Sequence, residues 1–553
     1  MTGVTSPGTP GAEVVGDSPA VADLYDLDDG PGSASRDSGA GRTLGRASLV
    51  NLVGFATYGL AGFGLVVVIT RGLGPSGAGA LLEAIAVFTI VSRSAMAGTD
   101  IALVRFTSRF LARDRHREVR QLYRVALGPV LAVSTVAAAA LLVAAAPLGR
   151  LLASGGSEQE LIGYLRVLAP FIPLTCVYQV LDGASRGFGT MVPDVAVERL
   201  GRSVAVPAVV FVVIAAGGGA TAIGLAWAGP FALALVPIAL WTTVLVRRAE
   251  RTLDDRAVDG APSAPDAVPV RELRRRFWSF ALPRSFAGVF ALTILWIDAL
   301  LLGALEGTEA AGVYSAAVRW LLVGNIAGNA VTLALGPQIA AVIPSGVGAD
   351  GSAGARRLFQ TATAWFVLLA WPAYLVAIVF APLLLTAFGD GFGDGAAVIA
   401  ITGVGFLFAS AAGPVDMLLL MAGRSRLSLI NTGVALIVNV GANLALIPWW
   451  GIRGAATAWL LSLVVANGLP LVQVWRDLGI HPWGGRTLRA LAITGVAGIA
   501  LVLGRAVAGT TATGLGLGLI LGAGVVVGGI LLTPDRMGVD DVLGRSKGDR
   551  HAH

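Results

Sequence analysis

A single carboxylate, Asp298, lies in the middle of the apolar run TILWIDALLLG, residues 293–303. A charged side chain near the centre of a bilayer costs about 2.5–3.5 kcal/mol on insertion scales, so such a group is retained when it has a function or a partner. Asp298 could take up H⁺ or Na⁺ and so drive a conformational cycle. It could instead be a structural partner of Arg319, which lies at a similar depth on the next predicted helix. Both interpretations stay open.

Two further acids are candidate ion-coupling residues by the same argument. Glu83 lies in the outer half of the second predicted helix, and Asp416 lies toward the inner end of the tenth. An ionisable group at membrane depth is a functional candidate until a partner explains it.

Four arginines also fall inside predicted membrane spans: Arg93, Arg166, Arg284 and Arg319. Arginine stays charged and offers a planar fork of donors that matches carboxylate and phosphate groups. A long basic side chain near a helix end can also reach the interface, or pair with a nearby acid. A binding role and a structural role therefore remain open for each of them.

Asparagines repeat at helical spacing in two predicted spans. Asn431, Asn439 and Asn443 are separated by 8 and 4 positions, and Asn325 and Asn329 by 4. Such residues share one helical face, where they can hydrogen-bond a neighbouring helix or line a cavity. The spacing favours helix packing for the first set and leaves both roles open for the second.

The composition places these side chains in a membrane protein. The chain has 553 residues, of which 55% are hydrophobic and 13% charged, whereas a soluble domain carries about 25% charged residues. Apolar stretches of about 20 residues recur along the chain, which is the length of a transmembrane helix. The stretches are continuous rather than alternating, which argues against a transmembrane β-barrel. We predict an all-α polytopic fold.

Fourteen transmembrane helices are predicted, and most basic residues fall on one side of them. If the N-terminus is cytoplasmic, the positive-inside rule is satisfied from loop to loop. We therefore predict a multi-pass plasma-membrane protein with both termini in the cytoplasm. The predicted spans are 47–70, 78–98, 125–149, 161–185, 196–216, 220–245, 277–303, 311–337, 357–386, 394–421, 427–448, 453–475, 487–507 and 513–533.

Polar segments divide the chain. Residues 1–46 have the composition of a disordered cytoplasmic tail, and residues 247–276 contain a Pro-, Asp- and Ala-rich linker. We predict an N-lobe of helices 1–6 over 47–246 and a C-lobe of helices 7–12 over 277–475. Helices 13 and 14 follow over 476–533, and a cytoplasmic tail over 534–553.

The two predicted lobes carry weak internal similarity. Gly74 and Gly79 match Gly307 and Gly312 at an offset of 233, from 79 to 312. Ala-Pro-Leu and Ala-Trp motifs recur in both halves at nearly the same offset. Repeats with an even number of spans insert in the same orientation, so we expect a pseudo-twofold axis along the membrane normal and a path between the lobes.

Several motifs resemble one family. They are RGLGPSGAGA (71–80), ALVRF (102–106), the stretch from ALPRSFAGVF to GVYSAA (281–317), and INTGVALIVNVGANLALIPWWGIRGAATAW (430–459). These motifs resemble the Wzx-type polysaccharide-repeat flippases, which share a superfamily with multidrug extruders of the MATE type and lipid II flippases. The resemblance extends over about 45–533 and is spread over both halves.

This resemblance implies a function. Such proteins move oligosaccharides linked to polyprenyl pyrophosphate from the inner to the outer leaflet by alternating access. By this resemblance Arg93, Arg284 and Arg319 would bind phosphate in the cavity between the lobes, with Asn325 and Asn329 lining it. The implied partners are the lipid-linked oligosaccharide, membrane lipids, and a polysaccharide polymerase with its glycosyltransferases.

Three alternatives stay open: a cation-coupled multidrug extruder, a lipid II flippase, and a non-transporting membrane scaffold for polysaccharide synthesis.

An enzyme is not expected, because the sequence has no G-x-x-x-x-G-K-[ST] loop and no catalytic soluble domain. One cysteine, Cys176, and four histidines without a cluster give no basis for a disulfide or a metal site. We expect no cofactor beyond a coupling H⁺ or Na⁺. The net charge of +6 is explained by topology and not by nucleic-acid binding.

Overall fold

The computed structural model describes residues 40–113, 115–154, 156–258, 269–342 and 351–532. Most of the predicted N-terminal tail, the centre of the linker and the predicted C-terminal tail therefore lie outside the described residues. Within the described residues all regular secondary structure is helical. The all-α membrane fold predicted from composition is confirmed.

We number the helices in chain order. A π-helical segment, Asp194–Arg202, precedes α6, and a short 3₁₀ turn, Thr386–Phe388, follows α11. The helices are α1 Ala40–Met96, α2 Thr99–Ala112, α3 His116–Leu152, α4 Glu158–Leu168, α5 Phe171–Gly187, α6 Ser203–Ala215, α7 Ala220–Val258, α8 Val270–Glu306, α9 Thr308–Val342, α10 Gly351–Val379, α11 Ala381–Leu385, α12 Gly395–Ala412, α13 Val415–Met421, α14 Ser425–Trp450, α15 Ile452–Leu478, α16 Gly485–Ala508 and α17 Ala512–Leu532.

Helix α1 contains the first two predicted spans as two arms that meet at Gly74. This glycine has φ 67° and ψ −177°, a combination that residues with a Cβ atom rarely adopt. Pro75 opens the second arm, where a missing N–H is tolerated because first-turn donors have no helical partner. The GPSG sequence therefore turns the chain between two spans.

Other predicted spans are also interrupted. The predicted helix 161–185 is two helices, α4 and α5, bent by 53° around Pro170, which lacks the N–H that a continuous helix needs. The predicted helix 394–421 is interrupted at Gly413, with φ 77°, so that α12 and α13 are separate. Apolar length predicted the presence of these spans but not their breaks.

The number of spans differs from the prediction. In the described part of the chain, ten helices are long and apolar enough to cross a membrane, or eleven if the bent α4–α5 pair is one span. Helix α1 counts once among these ten, although it contains two predicted spans. The chain is a multi-pass membrane protein, and the number fourteen stays a prediction.

Helices run past the predicted boundaries of the lobes. Helix α1 begins at Ala40 rather than residue 47, α7 continues to Val258, and α8 begins at Val270 rather than residue 277. An apolar run defines the part of a helix that lies in hydrocarbon, while the helix itself can continue into the interface and water. The predicted tail and linker are thus partly helical at their edges.

The buried apolar side chains form separate clusters for the two halves of the chain. The largest cluster takes its members from α1–α7 and from the part of α8 between Leu273 and Leu300. The other clusters take nearly all of their members from Leu302 onward, with Val66 of α1 added. Helix α8 packs against α1 and α3 on one side and α9 and α14 on the other, so it joins the two cores.

Candidate functional site

A cavity of ≈ 630 Å³ lined by charged and apolar side chains lies between helices of both halves. Its wall is built from α1, α2, α5, the π-helical segment, α6 and α7 of the first half, and from α8 and α9 of the second. The charged residues that line it are Arg93, Asp100, Asp182, Arg186, Asp194, Glu198, Arg199, Arg202 and Arg319. Five arginines face four acids in this cavity.

The π-helical segment supplies four of these charged residues. A π-helix has wider turns than an α-helix and often marks a functional position. Here it directs Asp194, Glu198, Arg199 and Arg202 to one cavity. Arg199 forms an ion pair with Asp194 at 2.7 Å, and both side chains are largely buried.

Arg202 is held on two sides. Its Nε donates to Glu198 Oε2 at 2.6 Å, and its Nη2 donates to Glu198 Oε1. The hydroxyl of Tyr178 donates to the same Oε2 at 2.6 Å. The guanidinium also lies over the Phe231 ring, 4.2 Å from its centroid. A bidentate pair combined with a cation–π contact orients a guanidinium rigidly.

The remaining arginine of the second half, Arg319, lacks such a partner. Within the described residues its guanidinium forms no hydrogen bond and no ion pair, and it lies over the Trp296 ring, 5.6 Å from the ring centroid. Arg319 therefore brings a positive charge without a counter-charge to the cavity wall.

The predicted pair between Asp298 and Arg319 is wrong. Asp298 is fully buried and accepts hydrogen bonds from Tyr314 Oη at 3.0 Å, Asn439 Nδ2 at 3.0 Å and Asn443 Nδ2 at 2.5 Å. Helical spacing alone predicted a shared depth for Asp298 and Arg319, but α8 turns Asp298 toward α14. The carboxylate is thus partnered by neutral donors.

The asparagine spacing correctly predicted hydrogen bonds between helices. Asn439 and Asn443 of α14 bind Asp298 of α8, and Asn431 exchanges two hydrogen bonds with Gln473 of α15 at 2.8 and 2.9 Å. The side chains of Asn325 and Asn329 lie outside the described residues, so their predicted role stays a prediction.

Of the other two arginines predicted to line the cavity, Arg93 does so and Arg284 does not. Arg93 lines the cavity and forms an ion pair with Asp100 at 3.1 Å, with its side chain 46% exposed. Arg284 is exposed, stacks on Phe280 at 5.2 Å and is not among the residues that line the cavity.

The other predicted coupling acids lie outside the cavity. Asp416 is exposed and accepts a hydrogen bond from Ser428 Oγ at 2.5 Å, which accounts for it without a coupling role. Glu83 is fully buried, and neither of its carboxylate oxygens has a hydrogen-bond partner in the described part of the chain.

Sequence reasoning missed Arg186, Arg199 and Arg202 as site residues. They were counted with the cytoplasmic loop of residues 186–202, although Arg199 and Arg202 fall at the start of the predicted span 196–216. The one signal available was the alternation of acids and arginines between residues 194 and 202, which is unusual for a short loop. A π-helical turn has no reliable sequence signature.

The fold and the cavity together define a polytopic helical membrane protein with a cavity between two halves. The chain belongs to the family described as polysaccharide biosynthesis proteins, whose model matches residues 44–342. This agrees with the resemblance to Wzx-type flippases. No curated protein sequence matches the chain.

Solved structures with the same fold include two transporters. One is the lipid II flippase MurJ in an inward closed conformation, with a TM-score of 0.61 and 12% identity over 88% of this chain and 99% of that one. The other is a multidrug resistance MATE family transporter of the MOP superfamily in an inward-facing conformation. Its TM-score is 0.58, with 17% identity over 76% of this chain and 94% of that one. At such identities the likeness concerns the fold.

Proposed function

We propose that this protein is a flippase that moves an oligosaccharide linked to polyprenyl pyrophosphate from the inner to the outer leaflet by alternating access. Both termini lie in the cytoplasm in this proposal. Its partners are membrane lipids, the glycolipid, and the polymerase and glycosyltransferases that use the same carrier.

The observation that carries the proposal is the charge balance of the cavity. Three of its acids form ion pairs with arginines: Asp100 with Arg93, Asp194 with Arg199, and Glu198 with Arg202. The fourth acid, Asp182, and Arg186 form no ion pair in the described part of the chain. The five arginines that line the cavity outnumber its four acids, and Arg319 has no hydrogen-bond or ion-pair partner among the described residues, so the cavity is suited to an anion.

A pyrophosphate carrier fits the arrangement of the arginines. Arg202 of the first half and Arg319 of the second line the same cavity, so an anion bound there can contact both halves. The pair with Glu198 uses Nε and Nη2 of Arg202 and leaves Nη1 for another acceptor. Two guanidinium groups can bind a multiply charged pyrophosphate through charge-assisted hydrogen bonds.

The extruder alternative predicts a different cavity. A site for cationic drugs needs carboxylates without counter-charges, and the cavity acids here face arginines. A lipid II flippase would need the same positive cavity, because its substrate also carries a pyrophosphate. The sugar composition decides between these two, and the cavity charge does not.

Asp298 is the proposed coupling site for H⁺ or Na⁺. It is a fully buried position in which the carboxylate accepts hydrogen bonds from two amide nitrogens and a phenol hydroxyl. A proton would neutralise the buried carboxylate, and Na⁺ would displace these donors as its counter-charge. Either event changes how α8 is held to α14, so binding there could bias the two lobe arrangements.

The proposal is tested by binding to the purified protein in lipid nanodiscs. We expect inorganic pyrophosphate, but not a lipophilic cation, to raise the melting temperature of the wild-type protein. Arg319→Ala should lower pyrophosphate affinity by about 10- to 100-fold, since a hydrogen bond to a charged group contributes about 1.5–3 kcal/mol.

Arg166→Ala is the matched control, because Arg166 is exposed and does not line the cavity. It should keep wild-type affinity. Stabilisation by the lipophilic cation instead of pyrophosphate would favour the extruder.

A further inference from the structure

The two halves meet through glycine backbones on the side predicted to face outward. A Cβ atom on Gly79 would lie 1.7 Å from the Thr308 carbonyl oxygen, and one on Gly312 would lie 2.1 Å from the Pro75 carbonyl oxygen. Pro75 and Thr308 differ by 233 positions, as do Gly79 and Gly312. Each copy of the predicted repeat thus presents the same backbone positions to the other, as a two-fold axis requires.

Side chains close the rest of this contact. Ser76 Oγ is 2.7 Å from Ser157 Oγ and 3.2 Å from Thr308 Oγ1. The Arg71 guanidinium donates to the Ala387 carbonyl oxygen at 2.8 Å. We call the contact of residues 71–79 with 307–312 the outer contact. It joins the two halves on the side that is predicted to face outward.

Glu83 lies one helical turn beyond Gly79 and packs against the second half. A Cβ atom on Gly303 of α8 would lie 2.1 Å from Glu83 Oε1 and 2.7 Å from the Leu152 carbonyl oxygen. The side chain is fully buried, and both carboxylate oxygens lack a hydrogen-bond partner within the described residues. The position that matches Glu83 in the second copy is Ala316, so the acid breaks the symmetry of the contact.

No counter-charge reaches Glu83 from the elements around it. The charged residues at the outer ends of α3, α4, α8 and α9 are Arg150, Glu158, Glu160, Glu306 and Glu309. In the described part of the chain, none of them forms an ion pair or a hydrogen bond with Glu83.

We propose that Glu83 is a proton-binding site that controls the outer contact. An unpaired carboxylate charge in a dry contact costs several kcal/mol, whereas a protonated carboxyl group is much less costly to bury. The closed contact therefore requires a protonated Glu83. When the halves separate, water reaches the side chain, and the ionised form becomes stable in the open state.

Proton binding at Glu83 couples the closing of the outer contact to the uptake of a proton from the outer side. A proton from the outer side binds Glu83 in the open protein, and the neutral side chain then fits against Gly303 as the contact closes. The inference rests on the alternating-access part of the proposed function and not on the identity of the substrate. Its test needs no substrate, so its failure leaves the flippase proposal intact.

The test measures the separation of the halves as a function of pH. Spin labels are placed at exposed positions by Ala216→Cys in the first half and Arg453→Cys in the second, after the single native cysteine is removed by Cys176→Ser. Double electron–electron resonance in nanodiscs then gives the distance distribution at about pH 6 and about pH 9. A closed state that binds a proton must lose population as the pH rises.

We expect the closed distance to dominate at low pH and a second, changed distance to grow at high pH in the labelled wild-type protein. Glu83→Gln, which is always neutral and has nearly the same shape, should keep the closed distance at both pH values. Glu160→Gln changes an exposed acid on the same side of the membrane and should retain the pH response.

Two results would overturn the proposal. One is a distance distribution of the labelled wild-type protein that does not change with pH. The other is a pH response of Glu83→Gln equal to that of the wild type, which would assign the titration to another group such as Asp298.

Discussion

Arg202 and Arg319 are the residues on which anion binding depends, and each lies on an aromatic ring at the cavity wall. Arg202 has Phe231 and the Glu198 carboxylate, while Arg319 has Trp296 alone. The difference suggests distinct roles, with Arg202 fixed in place and Arg319 available to a ligand.

Arg202→Lys should weaken pyrophosphate binding by roughly tenfold although the charge is kept. A lysine has a single ammonium nitrogen, so it cannot form the bidentate pair with Glu198 and also offer a second nitrogen to a phosphate. Isothermal titration with pyrophosphate measures the change. Arg251→Lys, at an exposed position, should bind pyrophosphate like the wild type. Wild-type binding by Arg202→Lys would show that the guanidinium group of Arg202 is not needed.

Asn443→Ala should destabilise the protein more than Asn431→Ala. Asn443 donates to the fully buried carboxylate of Asp298, whereas the two hydrogen bonds of Asn431 are with Gln473, whose partly exposed neutral amide can bind water instead. Hydrogen bonds to charged groups contribute about 1.5–3 kcal/mol and neutral ones about 0.5–1.5 kcal/mol. The melting temperatures in nanodiscs give the comparison, and a larger loss for Asn431→Ala would contradict it.

Single residues could be predicted where a polar group interrupts an apolar run. Asp298, Arg93 and Arg319 were found in this way, because a charge within a span must be explained. Arg202 and Arg199 could not, since at the edge of a span an arginine has the same sequence signature as an arginine in a loop. The hydrogen-bond partners of Asp298 were not predicted. Sequence spacing indicates how deep a residue lies in the membrane, but not which neighbouring helix its side chain faces.

At the scale of elements, breaks in helices place the functional groups. The π-helical segment directs four charged side chains to the cavity, and the Gly74 turn brings Gly79 to the second half. The bend at Pro170 and the break at Gly413 follow from residues that are visible in the sequence. Apolar length alone predicts a continuous helix at both places.

Gly79→Ala should open the outer contact. The added Cβ atom would overlap the Thr308 carbonyl oxygen, and a backbone atom cannot move aside as a flexible side chain can. We expect the disulfide of a Ser76→Cys, Thr308→Cys variant to form at least several times more slowly when Gly79→Ala is added.

The matched control for this change is Gly64→Ala on the same helix, where a Cβ atom would meet nothing within 4 Å. Gly64→Ala should leave the cross-linking rate unchanged. Equal rates in both variants would mean that the outer contact tolerates a side chain at position 79.

The whole molecule has two apolar cores joined by α8, with the cavity and the outer contact both lying between them. The solved structures share this fold. Gly79 and Gly312, which the sequence matched as equivalent positions of a repeat, both lie at the contact between the halves. The overall symmetry, the number of spans and the orientation depend on how the molecule lies in a bilayer and stay predictions.

Orientation can be measured with single cysteines in the Cys176→Ser background. A cysteine at exposed Arg251 should react with a membrane-impermeant maleimide only after the cells are opened, and one at exposed Glu309 should react in intact cells. The positive-inside rule gives this direction. The reverse labelling pattern would place the termini outside.

The flippase proposal is best tested on the lipid intermediates of a strain without this gene. The measurement is the amount, structure and leaflet of oligosaccharides linked to polyprenyl pyrophosphate. The flippase proposal predicts that one such repeat unit accumulates in the inner leaflet and that the wild-type gene, but not Arg319→Ala, removes it. Unchanged lipid intermediates together with new sensitivity to cationic drugs would contradict the proposal and favour an extruder.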